Sequence, residues 1–122
     1  MSNTDNRVRV GIIGLGRSGW GIHADAIRKM PERFRVVAVH DPLADRLKES
    51  AAALECRAHG SVGELLADRD VELVVVASPN PLHFEHALAA LEGGKHVLCE
   101  KPFTTRVAEV DRLIEAATRN RR

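Results

Sequence analysis

Four groups of residues in this 122-residue chain have the types and spacing to do chemistry. The first is Gly14-x-Gly16-x-x-Gly19, which follows the apolar run Val8–Ile13 and opens a helix-compatible stretch. Glycine at the first position permits a tight turn off a strand. At the second it lets the backbone approach a pyrophosphate, and at the third it lets a helix pack close to the strand. Gly14, Gly16, Arg17, Ser18 and Gly19 would together cradle the phosphates, helped by the free N–H groups and partial positive charge of a helix start. The glycines would serve a plain strand-to-helix turn equally well, so the pattern alone is weak. The second group is Asp41, which follows at about the 20-residue interval where a dinucleotide fingerprint places an acid. A carboxylate there accepts hydrogen bonds from the adenosine ribose hydroxyls and repels the 2′-phosphate of NADP. Pro42 and Leu43 come next, so no Arg follows the acid directly, although Arg46 could approach from the next helix turn. An ordinary helix N-cap is the plainer role for Asp41, and the two are compatible.

The third group is Ser78-Pro79-Asn80-Pro81-Leu82-His83. Two prolines restrict this loop, and Asn80 both donates and accepts hydrogen bonds. His83 falls on the first turn of the next helix, either facing a crevice or exposed to solvent. The fourth group is Glu100-Lys101-Pro102, a carboxylate and an ammonium side by side at a strand end. Such a lysine can hold a substrate hydroxyl, or move a proton if burial lowers its pKa. The alternative is a surface ion pair.

Alternating strands and helices must position these groups. Val8–Ile13 reads as the first strand and Ser18–Met30 as the first helix, ended by Pro31. Phe34–Asp41 is a second strand, and Pro42 starts a helix that runs through Glu55. Arg57–His59 suits a short edge strand, and Ser61-Val-Gly-Glu64 has the spacing of a capping box, opening a helix through Ala67. Glu72–Ala77 is the most apolar strand and is expected in the middle of the sheet. Leu82–Glu92 is a helix stopped by Gly93-Gly94, and His96–Glu100 is a fifth strand. Thr105–Thr118 is an amphipathic helix with Val107, Val110, Leu113, Ile114 and Ala117 on its apolar face. This order predicts one α/β domain over residues 1–122, a doubly wound parallel sheet of the Rossmann type with strand order 3-2-1-4-5. Residues 1–6 are expected to be a flexible lead.

Composition narrows the function. The chain is 44% hydrophobic and 29% charged, as a soluble globular domain is, and is long enough to bury a core. A net charge of +1 with interspersed signs offers no field for nucleic acid or a membrane surface. No apolar run approaches the roughly 20 residues that span a bilayer, and Met1–Asn6 lacks the apolar core of a secretory signal. The basic tip Arg119–Arg122 suits a solvated helix end. Cys56 and Cys99 lack metal-ligand spacing and are expected as free thiols in the cytoplasm, Cys99 buried in its strand. No metal site is expected.

Taken together, Val-Gly-Ile-Ile-Gly-Leu-Gly-Arg-Ser-Gly19, the Ser-Pro-Asn-x-x-His83 loop, Ala-Leu-x-x-Gly-Gly-Lys-His96 and Cys-Glu-Lys-Pro102 resemble the Gfo/Idh/MocA oxidoreductases from Arg7 to the last helix. The resemblance implies a Rossmann domain for NAD, with NADP second. It also implies that Lys101 positions substrate beside the nicotinamide, with Glu100 near the nicotinamide ribose and Ser78, Asn80 and His83 along the cofactor. The substrate so implied is a sugar, cyclitol or related polyol, whose secondary hydroxyl is oxidised with hydride passing to the nicotinamide.

Members of that family continue into a second domain that completes the substrate pocket and carries the usual oligomer interface. Nothing in this chain matches it, so the chain alone is expected to bind dinucleotide and turn over little. An isolated domain of a longer enzyme, a truncated gene product and a stand-alone module all fit this expectation. A catalytically silent dinucleotide sensor is the rival function. A methyltransferase using the same glycine turn is disfavoured by Glu100-Lys101-Pro102.

Overall fold

The computed structural model describes residues 6–16, 19–99 and 107–121, without the side chains of Asn80 and Val107. Arg17, Ser18, Glu100 and Lys101, and most of the expected N-terminal lead, therefore lie outside the described residues. Five parallel strands form one sheet: β1 (Val8–Ile13), β2 (Phe34–His40), β3 (Arg57–Ala58), β4 (Leu73–Val76) and β5 (His96–Cys99). Their order, β3-β2-β1-β4-β5, is the doubly wound one. β1 occupies the centre and β4 lies beside it, so the most apolar strand is interior without being central. Parallel strands buried on both faces need near-continuous apolar sequence, and β1, β2 and β4 all have it.

A π-helical turn (Gly19–Ala24) leads into α1 (Asp25–Arg28) in place of one regular helix through Met30. The helix α2 (Ala44–Leu54) starts two residues later than Pro42 suggests. The reason is Asp41, whose Oδ1 accepts the Leu43 amide at 2.8 Å and folds Pro42 and Leu43 into a turn. In α3 (Val62–Ala67) Ser61 caps the helix by accepting the Glu64 amide at 3.1 Å, while Glu64 reaches back to the Gly60 amide. A 3₁₀ turn (Asn80–Leu82) precedes α4 (His83–Glu92), because the two prolines delay regular helix. The last helix is α5 (Val107–Arg119).

Each sheet face has its own core. Val10, Ile12, Val36, Val39 and Val75 meet Ala24, Ala51, Leu47 and Ile27 of the first two helices. Ile13, Val37, Val74 and Val76 meet Leu65 of α3 and Ala90 of α4 on the other. The helix α5 packs on α4 through Leu113 and Ala116 against Ala87 and Leu91. Ile114, expected on the buried stripe, is 59% exposed. Cys99 is half-buried, because β5 is an edge strand covered on one face by α4 and α5. Among the described residues no helix is long and apolar enough to cross a membrane.

Candidate functional site

In a parallel sheet all strands deliver their carboxyl ends to one side, and the loops after β1, β2 and β4 meet there. They enclose a cavity of about 510 Å³. Its wall includes Gly14 and Gly16 from the first loop, His40, Asp41 and Arg46 from the second, and Ser78 and His86 from the third element pair.

The glycines have distinct reasons to be glycines. Gly14 has φ +93°, and a Cβ there would lie 2.6 Å from the Ala77 carbonyl oxygen. The loops after β1 and β4 therefore touch backbone to backbone, which no other residue allows. A Cβ on Gly19 would collide with the Gly14 carbonyl, so the helix start lies directly on the turn. Gly16 differs, since among the described residues the only atom near its missing Cβ is the Arg46 Nη1, at 3.3 Å. The fold does not require glycine at Gly16; the space it leaves opens into the cavity. That is the cradle a pyrophosphate needs, and the residues present fit a dinucleotide.

Asp41 follows β2 directly and is almost wholly buried. Its Oδ2 accepts the Leu15 amide at 2.8 Å, across 26 residues of sequence, and its Oδ1 holds Leu43. Arg46 Nη1 stands 3.5 Å from Oδ2, with its side chain 44% exposed. Asp41 thus ties the glycine loop to the end of β2; Oδ1 keeps a second lone pair for a ligand, whereas Arg46 already faces that of Oδ2.

The loop after β4 is fastened by two imidazoles of α4. His83 is 2% exposed, and its Nε2 lies 2.6 Å from the Ser78 carbonyl oxygen. A carbonyl only accepts, so His83 donates from Nε2. This places His83 neither in solvent nor on the cavity wall. The residue on the wall is His86, one turn later, whose Nδ1 pairs with the Ser78 hydroxyl at 2.7 Å. Burial pushes the His86 pKa down, His40 and His83 add to the effect, and Glu85 opposes it. Sequence reasoning missed His86 and His40, although His83 and His86, three apart, share a helix face. Asn80 has its backbone in the 3₁₀ turn beside these groups.

Lys95, of the Gly-Gly-Lys-His run, works elsewhere. It is 8% exposed at the opposite end of the sheet, and Nζ donates to the carbonyls of Asp68 (2.8 Å) and Val71 (2.7 Å). Burial lowers its pKa. Arg57 and His59 pair with Asp68 beside it, and Asp68 is held down to about 2 despite its own burial. Burial dominates at Cys56, whose thiol is pushed up to about 11 and is unreactive as a nucleophile near neutrality.

A family model described as an oxidoreductase family with an NAD-binding Rossmann fold matches residues 8–122. The chain belongs to the Gfo/Idh/MocA oxidoreductase family. It is 40% identical over 109 residues to inositol 2-dehydrogenase 3 of Saccharopolyspora erythraea, covering 89% of this chain and 32% of that protein. Among solved structures it resembles the WlbA dehydrogenase of Bordetella pertussis in complex with NADH and UDP-GlcNAcA. There the TM-score is 0.86 and the identity 30%, over 93% of this chain and 34% of that one. It also resembles KijD10, a 3-ketoreductase of Actinomadura kijaniata solved with NADP, with a TM-score of 0.88 and 34% identity over 94% of this chain and 35% of that one. The chain spans about a third of the length of the relatives it matches. It is the NAD(P)-binding Rossmann domain of this family, and these two structures hold NADH and NADP respectively.

Proposed function

We propose that this domain binds NAD in preference to NADP and serves an enzyme that oxidises a secondary hydroxyl of a sugar, cyclitol or related polyol. The observation that carries the cofactor reading is the open space at Gly16 beside the buried carboxylate of Asp41. When bound, NAD supplies a hydride acceptor at its nicotinamide. The loop of Gly14, Gly16 and Gly19, with Arg17 and Ser18 between, holds the pyrophosphate. Asp41 accepts the adenosine ribose hydroxyls through the free lone pair of Oδ1 and, with Arg46 moved aside, through Oδ2. Arg46, at 3.5 Å from Asp41, offsets part of the repulsion toward a 2′-phosphate. One charge-assisted pairing still favours NAD by about tenfold or more.

The substrate class follows the inositol and sugar-nucleotide relatives. Lys101, next along the chain from the edge strand β5 and Glu100, holds or deprotonates the reacting hydroxyl. Asn80, His83 and Glu100 serve the cofactor's nicotinamide half, His83 through the shape of its loop, and Ser78 serves the cofactor from the same loop.

Titration calorimetry with NAD, NADP and S-adenosylmethionine tests the cofactor reading. Saturable binding of NAD at least tenfold tighter than NADP is expected, with no binding of the methyl donor. Equal affinity for both dinucleotides at low salt would remove Asp41 as the discriminating group, and no dinucleotide binding would remove the cofactor reading itself. The substrate reading is tested in the longer protein by NADH formation with myo-inositol and related polyols.

A further inference from the structure

We propose that His40 and His86 recognise the adenine ring of the dinucleotide by its hydrogen-bonding edge, and that the site therefore rejects a hypoxanthine ring. The inference rests on the dinucleotide reading above and deepens it. With the pyrophosphate at Gly16 and the ribose at Asp41, the base extends into what remains of the cavity. That remainder lies between the loop after β2, with Pro42 and Leu43, and the loop after β4, with Pro79 and Leu82. In strand order these loops flank the glycine loop on its two sides, so their apolar residues make a slot for a flat ring. The imidazoles of His40 and His86 line the same cavity.

The His59 carbonyl fixes what His40 offers, and at His86 we take the rotatable Ser78 hydroxyl as the donor. His40 Nδ1 lies 2.8 Å from the His59 carbonyl oxygen, which cannot donate. His40 therefore donates from Nδ1, and in the neutral ring Nε2 is an acceptor. His86 Nδ1 is engaged by the Ser78 hydroxyl at 2.7 Å. With that hydroxyl donating, the neutral ring carries its proton on Nε2. Burial, His40 and His83 favour this neutral state of His86 against the pull of Glu85. One acceptor and one donor lining one cavity complement adenine, which presents an amino donor next to a ring-nitrogen acceptor. Hypoxanthine presents a carbonyl where adenine has the amino group and leaves the His40 acceptor facing another acceptor. Leaving a buried polar group unpaired in this way is expected to weaken binding by about tenfold or more.

The test compares NAD with nicotinamide hypoxanthine dinucleotide by calorimetry at pH 7.5. The chain is expected to bind NAD about tenfold tighter or more. His86→Phe and His40→Phe, each verified as folded by circular dichroism, should still bind NAD but with the preference cut to below about threefold. His86→Gln restores a donor and should keep the preference, which a merely structural role for the ring would not produce. Equal binding of the two dinucleotides by the unaltered chain overturns this inference while leaving the cofactor reading intact. An undiminished preference in His86→Phe and His86→Gln alike removes His86 from the recognition. Failure to bind either dinucleotide overturns the cofactor reading instead.

Discussion

Replacing Asp41 with asparagine separates its two duties in a measurable way. Both carboxylate oxygens accept backbone amides at 2.8 Å, Leu15 on Oδ2 and Leu43 on Oδ1. Asparagine has one oxygen and one amino group, so whichever way the amide turns, one of those N–H groups faces another donor. The better outcome keeps Leu15 paired, because that contact is buried and that of Leu43 is partly open. Hydrogen bonds to a charged group contribute about 1.5–3 kcal/mol, and a buried unsatisfied donor costs about 1–3 kcal/mol. These overlap, so a loss of roughly 2–4 kcal/mol is expected, out of a typical 5–15 kcal/mol. At roughly 4 °C per kcal/mol for a domain of this size, the melting temperature should fall by about 8–16 °C. Arg46→Ala is the control, because a half-exposed guanidinium at 3.5 Å contributes at most about 1 kcal/mol. Thermal melts followed by circular dichroism read both. NAD affinity should also fall in Asp41→Asn, and the preference over NADP should disappear. A variant that melts within 2 °C of the unaltered chain, on the roughly 4 °C per kcal/mol scale, would refute the tether.

Three further outcomes are expected. Gly16→Val should fold normally, because among the described residues its Cβ meets only the movable Arg46 side chain, and should lose dinucleotide binding; unchanged binding would make the loop a turn and nothing more. Lys95→Met should lower stability by about 1–3 kcal/mol in urea titrations, by stranding the carbonyls of Asp68 and Val71, and leave NAD affinity unaltered at the far end of the sheet. Stability should fall on acidification through the ordinary histidine value of 6.5, because the folded pKa of His86 lies lower and the unfolded chain takes up the proton first. That contribution levels off once the folded ring is also protonated, and His86→Gln should flatten it in urea midpoints between pH 7.5 and 5.5.

What was legible in the sequence was whatever is local or periodic. The β-branched runs, the glycine spacing and the Ser61 cap each act within a few residues, so element order and sheet topology followed. Asp41 was legible as a site residue by its interval from Gly19, but its grip on Leu15 spans 26 residues and leaves no pattern in a single chain. The same holds for His40, whose tautomer is set by a carbonyl 19 residues away. Pro42 misled in the opposite direction. It suits a helix start, yet the Asp41 side chain captured the Leu43 amide and delayed the helix by two residues. Ile114 misled because apolar periodicity marks a face without saying how wide a neighbour covers it; at an edge strand the cover is narrow.

The way the three loops are held bears on how the site works. Gly14 is pressed against Ala77 on one side, and Leu15 is bonded to Asp41 on the other. The loop after β4 is held in turn by His83 on a carbonyl and His86 on a hydroxyl. The described residues of these loops are thus held by hydrogen bonds or contacts to their neighbours. A site assembled in this way costs little ordering when a dinucleotide binds, so more of the contact energy appears as affinity. The arrangement also constrains change. The atoms that fix the loops, the Asp41 carboxylate and the Ser78–His86 pair, are the ones proposed to read ribose and base. A substitution that retunes cofactor choice at those positions therefore loosens the fold with it. Arg46 lines the same cavity without tying the loops together, and it is the position where cofactor preference can shift at small cost in stability.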